Sequence, residues 1–299
     1  MEITFLGTSS SFPTKQRGHP AILLKLEKES ILFDCGEGTQ RQLRISKENP
    51  MRISKIFISH WHGDHSLGLP GLLSSLAMNK RTAPLQIFGP KGTKESVKLT
   101  KKAFNLTLPF PSTVKDIEAP KVKEVDKAED YTISAVKLAH RIPCNAYSFE
   151  TKSRIKLNKD FLKKHKIKSS PILKKLKEGK SITVNGKKIS PKQAIIIEKG
   201  KKITFIADTK LCPQIHAIAK DSDILVCEAT FSSTLGKKAE EMYHLTAKQA
   251  AEIAKKAKAK KLYITHPSQR YESTKTLENE AKKMFKNTTQ AKDFLKIKI

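Results

Sequence analysis

Short apolar segments alternate along the chain with polar segments rich in glycine, proline and serine, a pattern typical of strands that are joined by turns. The predicted strands cover residues 3–6, 21–26, 30–34, 53–59, 85–88, 131–138, 147–150, 194–197, 202–207, 224–227, 261–265 and 294–299. The predicted helices cover residues 36–44, 67–79, 93–105 and 246–259. Because strands and helices interleave, the sequence predicts an α/β (α+β) fold in which helices cover sheets.

Two of these elements carry more specific signals. Residues 224–227 form an uninterrupted apolar run, which predicts a strand that is buried on both faces. Thr246 precedes a segment with alanines at helical spacing, and its hydroxyl is suited to cap the first turn of a helix.

Residues 151–192 differ from the rest of the chain in charge. They contain fifteen lysines and arginines but only two acidic residues, with few aromatic residues and a central Ser169-Ser170-Pro171 sequence. This composition predicts a charge-biased insert, and not a hydrophobic layer, within a single domain that spans residues 1–299. We call this insert the basic arm.

The composition also bears on location and partners. The 299 residues are enough to bury a large core, and no apolar run approaches the length of a membrane span. Residues 1–5 lead directly into a strand without the pattern of a signal peptide, so we expect a cytoplasmic protein. The four cysteines are scattered without a C-x-x-C pair and are expected to be free thiols.

The chain is strongly basic. Its 58 lysines and arginines against 29 acidic residues give a net charge of +29, which favours polyanions, most commonly nucleic acid. A lysine-rich compositional bias is an alternative explanation, because lysine is spread through the whole chain. The charge alone therefore does not identify RNA as a partner.

The densest chemical signal is the run Ser59-His60-Trp61-His62-Gly63-Asp64-His65, which follows the predicted strand at 53–59. Imidazole and carboxylate groups are ligands that zinc and similar divalent metals prefer. The spacing does not fit one face of a helix, so we predict a loop in which His60 and His62 hold one metal. Asp64 and His65 would then hold a second, whereas a merely polar surface loop is the alternative.

Three more potential ligands follow predicted strands. His140 comes after the strand at 131–138, Asp208 after the strand at 202–207 and His266 after the strand at 261–265. A single histidine after a strand is usually not a metal ligand. Together with the run at 59–65, however, these residues would complete a site for two metals.

Several motifs resemble the ribonuclease Z family of the metallo-β-lactamase superfamily, in the family's order and over nearly the whole chain. They are 5–14 (FLGTSSSFPT), 33–42 (FDCGEGTQRQ), 59–65, 63–73 (GDHSLGLPGLL), 207–209 (ADT), 228–231 (EATF), 265–266 (TH) and 270–271 (RY). The resemblance implies a metallo-β-lactamase αββα four-layer sandwich with a protruding basic arm. It also implies two Zn²⁺ ions per subunit. The first would be held by His60, His62 and His140, and the second by Asp64, His65 and His266. Asp208 would bridge the two ions.

The resemblance further implies a zinc-dependent endonuclease that removes 3′ trailers from precursor tRNA. A metal-bound hydroxide would attack phosphorus and leave a 3′-hydroxyl on the tRNA and a 5′-phosphate on the trailer. Asp64 would act as proton acceptor as well as ligand, and Asp34 would orient a ligand histidine. His244 and Glu228 would deliver a proton to the leaving oxygen, although Leu245 and Cys227 depart from the family's motifs.

Three features are expected to bind precursor tRNA by resemblance. The first is the loop at 13–18 with Lys15 and Arg17, in which Gly18 replaces the family's asparagine; a plain basic turn is the alternative. The second is the basic arm with Lys163, Lys164, Lys174 and Lys175, and the alternative is a solvated lysine-rich excursion. The third is Arg270, which could instead be a structural cap. In this family the arm reaches tRNA bound at the other subunit, which implies a homodimer.

Two other functions stay open at the level of sequence. A small-molecule phosphodiesterase or related hydrolase of the same superfamily would keep the metal ligands but would not need the arm or the loop at 13–18. A non-catalytic tRNA-binding module would be expected to lack at least one ligand, and all seven are present.

Overall fold

A computed structural model describes residues 1–184 and 186–299 and divides the chain into two compact units. The first unit comprises Met1–Lys127, Ile133–Phe149 and Lys202–Ile299. The second comprises Ala128–Thr132 and Glu150–Lys201, and it therefore contains the basic arm.

The first of two large sheets is built mainly from the N-terminal part of the chain. Its seven strands are β1 (Glu2–Gly7), β2 (Ala21–Lys25), β3 (Ser30–Phe33), β4 (Ile53–Phe57), β5 (Leu85–Pro90), β6 (Ser112–Ile117) and β18 (Lys296–Lys298). They lie in the order β18-β1-β2-β3-β4-β5-β6. Strands β3 to β6 are parallel, whereas β18, β1, β2 and β3 pair antiparallel. The C-terminal strand thus closes the sheet that the N terminus begins.

The second large sheet also has seven strands, in the order β17-β16-β15-β14-β9-β8-β7. They are β7 (Lys123–Lys127), β8 (Tyr131–Lys137), β9 (Asn145–Thr151), β14 (Lys202–Ile206), β15 (Ile224–Glu228), β16 (Leu262–Thr265) and β17 (Thr288–Gln290). Strands β14 to β17 are parallel, and every residue of β15 is buried. The prediction of a strand buried on both faces is confirmed.

Helices cover the outer face of each sheet in the first unit. The helices of the first unit are α1 (Thr39–Ile45), α2 (Gly63–Ser66), α3 (Leu69–Met78), α4 (Thr93–Ala103), α8 (Pro213–Ala219), α9 (Gly236–Glu241), α10 (Ala247–Lys256) and α11 (Lys275–Met284), with 3₁₀ turns at Pro50–Arg52 and Ser233–Leu235. Helices α1, α3 and α4 share an apolar core with the first sheet, and α8, α10 and α11 share another with the second. Each sheet therefore has a helical layer.

Aromatic side chains fill the space between the two sheets. The Phe33 ring of β3 stacks on Phe205 of β14 at 4.0 Å between centroids, and the Phe57 ring meets Tyr147 edge-on at 5.1 Å. The Phe5 ring lies 5.9 Å from Tyr263. Such pairs bury large apolar areas. The layers run helix, sheet, sheet, helix, which confirms the αββα sandwich.

The hydrophobic pattern located most core elements but missed several at the edges. Helix α10 begins after Thr246, whose hydroxyl caps Gln249 N in a capping box, as predicted. Strands β6, β7 and β17 and helices α8, α9 and α11 were not predicted. Strand β7 reads Lys-Glu-Val-Asp-Lys and is largely exposed, so it lacks the apolar alternation on which the prediction depended.

The second unit is small and has secondary structure of its own. It contains β10 (Arg154–Leu157), α5 (Lys159–Lys164), α6 (Leu173–Lys177), β11 (Ile182–Val184), β12 (Lys187–Ile189), α7 (Pro191–Ala194) and β13 (Ile195–Glu198). Strands β10 and β13 pair antiparallel, as do β11 and β12.

The expectation that the basic arm has no hydrophobic layer is wrong. Among the described residues, the buried side chains of Leu173, Leu176, Ile182 and Ile189 form a core within it, and Ala194 of the same unit joins this core. Partly buried apolar residues such as Phe161 and Leu162 pack against this core. The apolar residues are sparse among lysines, so charge hid them in the sequence.

No helix in the described part of the chain is both long and apolar enough to cross a membrane. All four cysteines, Cys35, Cys144, Cys212 and Cys227, are buried free thiols, as predicted.

Candidate metal centre

The structure brings all seven predicted metal ligands together in the first unit. Ligand atoms of His60, His62 and His140 lie within 4.8 Å of one another, and so do those of a second group. The second group consists of Asp64, His65, Asp208 and His266. The two groups are adjacent, because His60 Nε2 lies 3.7 Å from Asp208 Oδ2. We call these seven residues the metal centre.

Strand ends deliver these side chains. The run at 59–65 follows β4, Asp208 follows β14, and His266 follows β16. Since β14 and β16 are parallel strands of one sheet, their carboxyl ends reach the same edge. We predicted that the run at 59–65 is a loop. This prediction is wrong for its second half, because Asp64 and His65 lie in the single-turn helix α2.

A glycine lets the neighbouring loop approach this helix closely. Cys35 N–H donates to the carbonyl oxygen of His65 at 2.9 Å. A Cβ built on Gly36 would lie 2.2 Å from the carbonyl oxygen of Asp64, a distance that real side chains do not tolerate. The sequence Asp34-Cys35-Gly36 therefore packs against the metal centre through its backbone.

Hydrogen bonds that His65 and His60 donate to Asp34 and Ser59 fix the orientation of these two imidazoles. Asp34 Oδ2 accepts from His65 Nδ1 at 2.7 Å and from Ser59 Oγ at 2.9 Å. Since the Ser59 hydroxyl proton goes to Asp34, Ser59 Oγ accepts from His60 Nδ1 at 3.0 Å. Both imidazoles therefore present an Nε2 lone pair to the centre, the arrangement that metal-binding histidines need.

His266 and His140 are oriented in the same way. The Thr230 hydroxyl donates to Glu228 Oε2 at 2.7 Å and so accepts from His266 Nδ1 at 3.1 Å. The carbonyl oxygen of Tyr243 accepts from His140 Nδ1 at 3.3 Å. The Nε2 atoms of these rings also face the centre without a proton.

The resulting donor set fits a cation. His65 Nε2 and His266 Nε2 face each other at 3.2 Å, although both carry lone pairs in these tautomers. His60 Nε2 and Asp208 Oδ1 are buried without a hydrogen-bond partner among the described residues. Buried polar atoms without partners are costly, and a metal ion is one partner that satisfies nitrogen and carboxylate ligands together. The cluster is therefore compatible with metal binding.

Electrostatics separate the two groups of ligands. Burial lowers the pKa of His60, His62 and His140, so these imidazoles are neutral and available to a metal. Burial also opposes the charge on His65, but Asp208 and Asp34 outweigh it and raise the pKa of His65. The second group thus favours positive charge between His65 and Asp208.

Asp64 is held ionised at the edge of the centre. Burial opposes its charge, but the neighbouring His266 and His65 outweigh burial and keep the pKa of Asp64 below the ordinary value. The backbone N–H of Ser11 also donates to Asp64 Oδ2 at 2.9 Å. A carboxylate fixed in this way can accept a proton or a metal.

Glu228 and His244 form a buried pair beside the centre. His244 Nδ1 donates to Glu228 Oε1 at 3.1 Å, and Thr230 Oγ1 lies 3.2 Å from the same nitrogen. Burial opposes the charge on His244, but Glu228 and Asp208 outweigh it and raise the pKa of His244 to about 9. The imidazole therefore holds a proton next to the site, with its Nδ1 side anchored to the second sheet.

Four residues around the centre adopt a left-handed backbone, which is unfavourable for residues other than glycine. Their φ values are 47° for Ser11, 58° for Asp34, 60° for Tyr243 and 62° for His266. Such strained positions concentrate at functional sites, where the surrounding structure fixes them.

Sequence reasoning missed the supporting residues Ser11, Ser59, Thr230 and Tyr243. Ser59 and Thr230 lie inside motifs that were noted for their histidines and acidic residues, so both hydroxyls could have been predicted from their positions in these motifs. Ser11 contributes its backbone N–H and Tyr243 its carbonyl oxygen. These two contacts could not be predicted from the sequence, because every residue type except proline has the same backbone N–H and carbonyl groups.

The predicted RNA-binding residues occupy different settings. Lys15 is exposed, whereas Arg17 is partly buried and donates to the carbonyl oxygen of Tyr271 at 3.0 Å. Arg270 is exposed, with its guanidinium 5.1 Å from the Phe231 ring centroid. The arm lysines Lys163, Lys164, Lys174 and Lys175 are exposed on α5 and α6 of the second unit.

Comparison with known proteins agrees with this picture. Residues 1–176 match the family model described as "Anti-Pycsar protein Apyc1", and residues 171–267 match the "Beta-lactamase superfamily domain". Each of these models covers only a part of the chain.

Matches to whole proteins are more specific. The chain is 36% identical over 300 residues to ribonuclease Z of Methanothermobacter thermautotrophicus. This alignment covers 100% of this chain and 97% of the relative. It is 42% identical over 272 residues to ribonuclease Z of Nanoarchaeum equitans, at 91% and 85% coverage. The crystal structure of the short form of human tRNase Z matches with a TM-score of 0.74 and 29% identity, over 100% and 99% of the two chains. The chain belongs to the ribonuclease Z family of the metallo-β-lactamase superfamily.

Proposed function

We propose that this protein is a zinc-dependent endonuclease that removes the 3′ trailer from precursor tRNA. Relatives that match nearly its whole length are named ribonuclease Z, and a solved structure that it resembles is a tRNase Z. The observation that carries the proposal is the complete metal centre with the buried His244–Glu228 pair beside it. A binding module without activity would not need this pair.

Two zinc ions are the proposed cofactors. His60, His62 and His140 would hold the first, Asp64, His65 and His266 the second, and Asp208 would contact both. Two such cations polarise a phosphate and lower the pKa of a bound water. Three nitrogen ligands on one side and a mixed nitrogen and carboxylate set on the other suit zinc chemically.

The chain's own residues would manage the protons. Asp64, kept ionised by its neighbours, would accept a proton from the attacking water. His244, protonated and oriented by Glu228, would donate a proton to the leaving oxygen. Cleavage in this direction would leave a 3′-hydroxyl on the tRNA and a 5′-phosphate on the trailer.

Electrostatic attraction would supply much of the affinity for tRNA. The net charge is +29, and the arm presents Lys163, Lys164, Lys174 and Lys175 on exposed helix faces. Lysine contacts to phosphates position RNA without reading its sequence. Lys15, Arg17 and Arg270 of the first unit would also contact the RNA.

A cytoplasmic homodimer is part of the proposal. Four buried cysteines without a disulfide fit a reducing compartment. The homodimer rests on the family resemblance alone. Size-exclusion chromatography with light scattering would test it, and a monomeric mass with full activity would contradict it.

The decisive test is cleavage of precursor tRNA. Purified zinc-loaded protein is incubated with an end-labelled precursor that carries a 3′ trailer, with and without a chelator. A single chelator-sensitive cut directly after the discriminator base is expected. Hydrolysis of a small phosphodiester without any cut in the tRNA would favour a small-molecule hydrolase, and binding without either activity would favour a non-catalytic module.

A further inference from the structure

Two cations, Arg141 and Lys210, lie near the ring of Tyr243, the residue whose carbonyl oxygen orients His140. Arg141 Cζ lies 5.7 Å and Lys210 Nζ 4.9 Å from the Tyr243 ring centroid. Arg141 directly follows the ligand His140, and Lys210 lies two residues after the ligand Asp208. Both cations are therefore tied to the loops that carry metal ligands.

The backbone holds these loops side by side. Ala139 and Lys210 form an isolated antiparallel bridge, in which Lys210 N–H donates to the carbonyl oxygen of Ala139 at 3.0 Å. Tyr243 is fixed from the other side, because its carbonyl oxygen accepts from His140 and its φ is 60°. The ring and both cations thus have defined positions relative to the centre.

Among the described residues, no carboxylate lies within 4.0 Å of either cation. The Arg141 guanidinium donates instead to the backbone carbonyl oxygen of Glu241 at 2.9 Å and lies 3.6 Å from Met242 Sδ. Glu240 and Glu241 line the same cleft as Lys210, Lys237 and Tyr243, but neither carboxylate lies within 4.0 Å of Lys210 Nζ. Two cations near one ring repel each other, and an anion between them would relieve that repulsion.

We propose that Arg141 and Lys210, held beside the Tyr243 ring, form a phosphate subsite that binds one phosphodiester of the RNA strand. Lysine and arginine are the usual partners of phosphate groups in RNA. This proposal rests on the proposed endonuclease function. It adds the position of the RNA strand on the protein surface.

The subsite takes the tRNA side of the cut, not the trailer. Tyr243 directly precedes His244, which in the proposed function protonates the leaving oxygen. That oxygen belongs to the last nucleotide of the tRNA, so the neighbouring cations face the phosphodiester on its 5′ side.

The test combines substitution of the protein with neutralisation of single phosphates. Precursor tRNA is prepared with one uncharged methylphosphonate, either directly 5′ of the last tRNA nucleotide or one nucleotide into the trailer. Cleavage is measured for the wild-type protein and for Arg141→Ala/Lys210→Ala. Each rate is divided by the rate on bis(p-nitrophenyl) phosphate, which corrects for folding and metal content.

We expect the double substitution to raise KM for native precursor about tenfold, as loss of charged phosphate contacts should. The 5′-side methylphosphonate should raise KM for the wild-type protein by about the same factor and have little further effect on the double variant. Lys210→Arg should retain most of the affinity. Lys98→Ala, which removes an exposed lysine on α4, should leave both measurements unchanged.

Additive effects of the substitution and the 5′-side methylphosphonate would overturn the subsite while leaving the endonuclease intact. Coupling to the trailer-side methylphosphonate instead would overturn its assigned direction. Absence of any tRNA cleavage by the wild-type protein, with reporter hydrolysis retained, would overturn the proposed function and the subsite with it.

Discussion

The metal centre and the basic arm represent two ways in which a chain can present functional groups. The centre draws its seven candidate ligands from positions as far apart as His60 and His266, and most of them are buried and hydrogen-bonded to a second residue. The arm presents lysines from two short helices that pack on a small core of buried apolar side chains in the second unit. The centre is fixed by many mutual contacts, whereas the arm's lysines are exposed.

This difference has a consequence for mutational sensitivity. Each residue of the centre depends on several others, so a single change should have a large effect. Arm lysines act through charge at longer range, so their effects should be small singly and should add. The following experiments test this contrast, beginning with the largest expected effect.

Replacement of one ligand should abolish catalysis without removing RNA binding. Asp64→Ala is expected to lower the single-turnover rate of tRNA cleavage by about 10³-fold or more, because it removes both a ligand and a proton acceptor. Filter binding of precursor tRNA should change by less than about threefold, since the arm remains. Glu124→Gln, at an exposed position of β7, is the control; a comparable loss of binding in Asp64→Ala would contradict the separation.

A single added methyl group should disturb the centre through the backbone. Gly36→Ala places a Cβ 2.2 Å from the carbonyl oxygen of Asp64 and 2.5 Å from His19 Cβ. We expect a loss of about 2–3 kcal/mol in the free energy of unfolding and weaker zinc binding, measured by denaturant titration and by competition with a chelator. Gly236→Ala is the matched control, because its Cβ meets nothing within 4 Å. Equal effects of the two changes would refute the proposed close packing.

Neutralising the arm should weaken tRNA binding in a salt-dependent manner. Changing Lys163, Lys164, Lys174 and Lys175 together to glutamine should raise the Kd about tenfold at moderate salt and flatten its dependence on salt concentration. The control changes Lys94, Lys98, Lys101 and Lys102 of α4, which removes the same charge elsewhere. If both sets flatten the salt dependence equally, then net charge and not the arm governs binding.

The smallest expected effect concerns acid stability. Glu48 is buried and forms ion pairs with Lys296 and with Lys25, the latter at 3.2 Å. Burial opposes the charge on Glu48, but the two lysines outweigh burial and lower the pKa of Glu48. Because the folded pKa is depressed, the pair stabilises the protein above the unfolded pKa of about 4.3 and less so as pH falls through the folded value.

Glu48→Gln should therefore cost roughly 1 kcal/mol or less at pH 7, and the cost should shrink below about pH 4. Urea denaturation at several pH values measures this difference. Glu198→Gln in the second unit is the control, because its partner Lys156 is exposed and the pair should contribute almost nothing. A cost for Glu48→Gln that is independent of pH would contradict the ionic origin.

The sequence by itself determined the family, the layered fold and the identity of the ligand candidates. His60, His62, Asp64 and His65 are close in sequence, so their chemistry was visible as one motif. His140, Asp208 and His266 were recognisable because each follows an apolar strand, and parallel strands bring such ends together. Local patterns were sufficient wherever hydrophobic burial and short spacing decided the outcome.

Only the tertiary structure decided how these residues are held. The Thr230 hydroxyl joins Glu228 to His266, and the Tyr243 carbonyl oxygen orients His140 across 103 positions of the chain. The Ser11 N–H that reaches Asp64 and the small core under the arm's lysines were likewise absent from any pattern. Backbone donors and acceptors are the same at nearly every residue, so their partners depend on where the folded chain returns, which residue types alone do not encode.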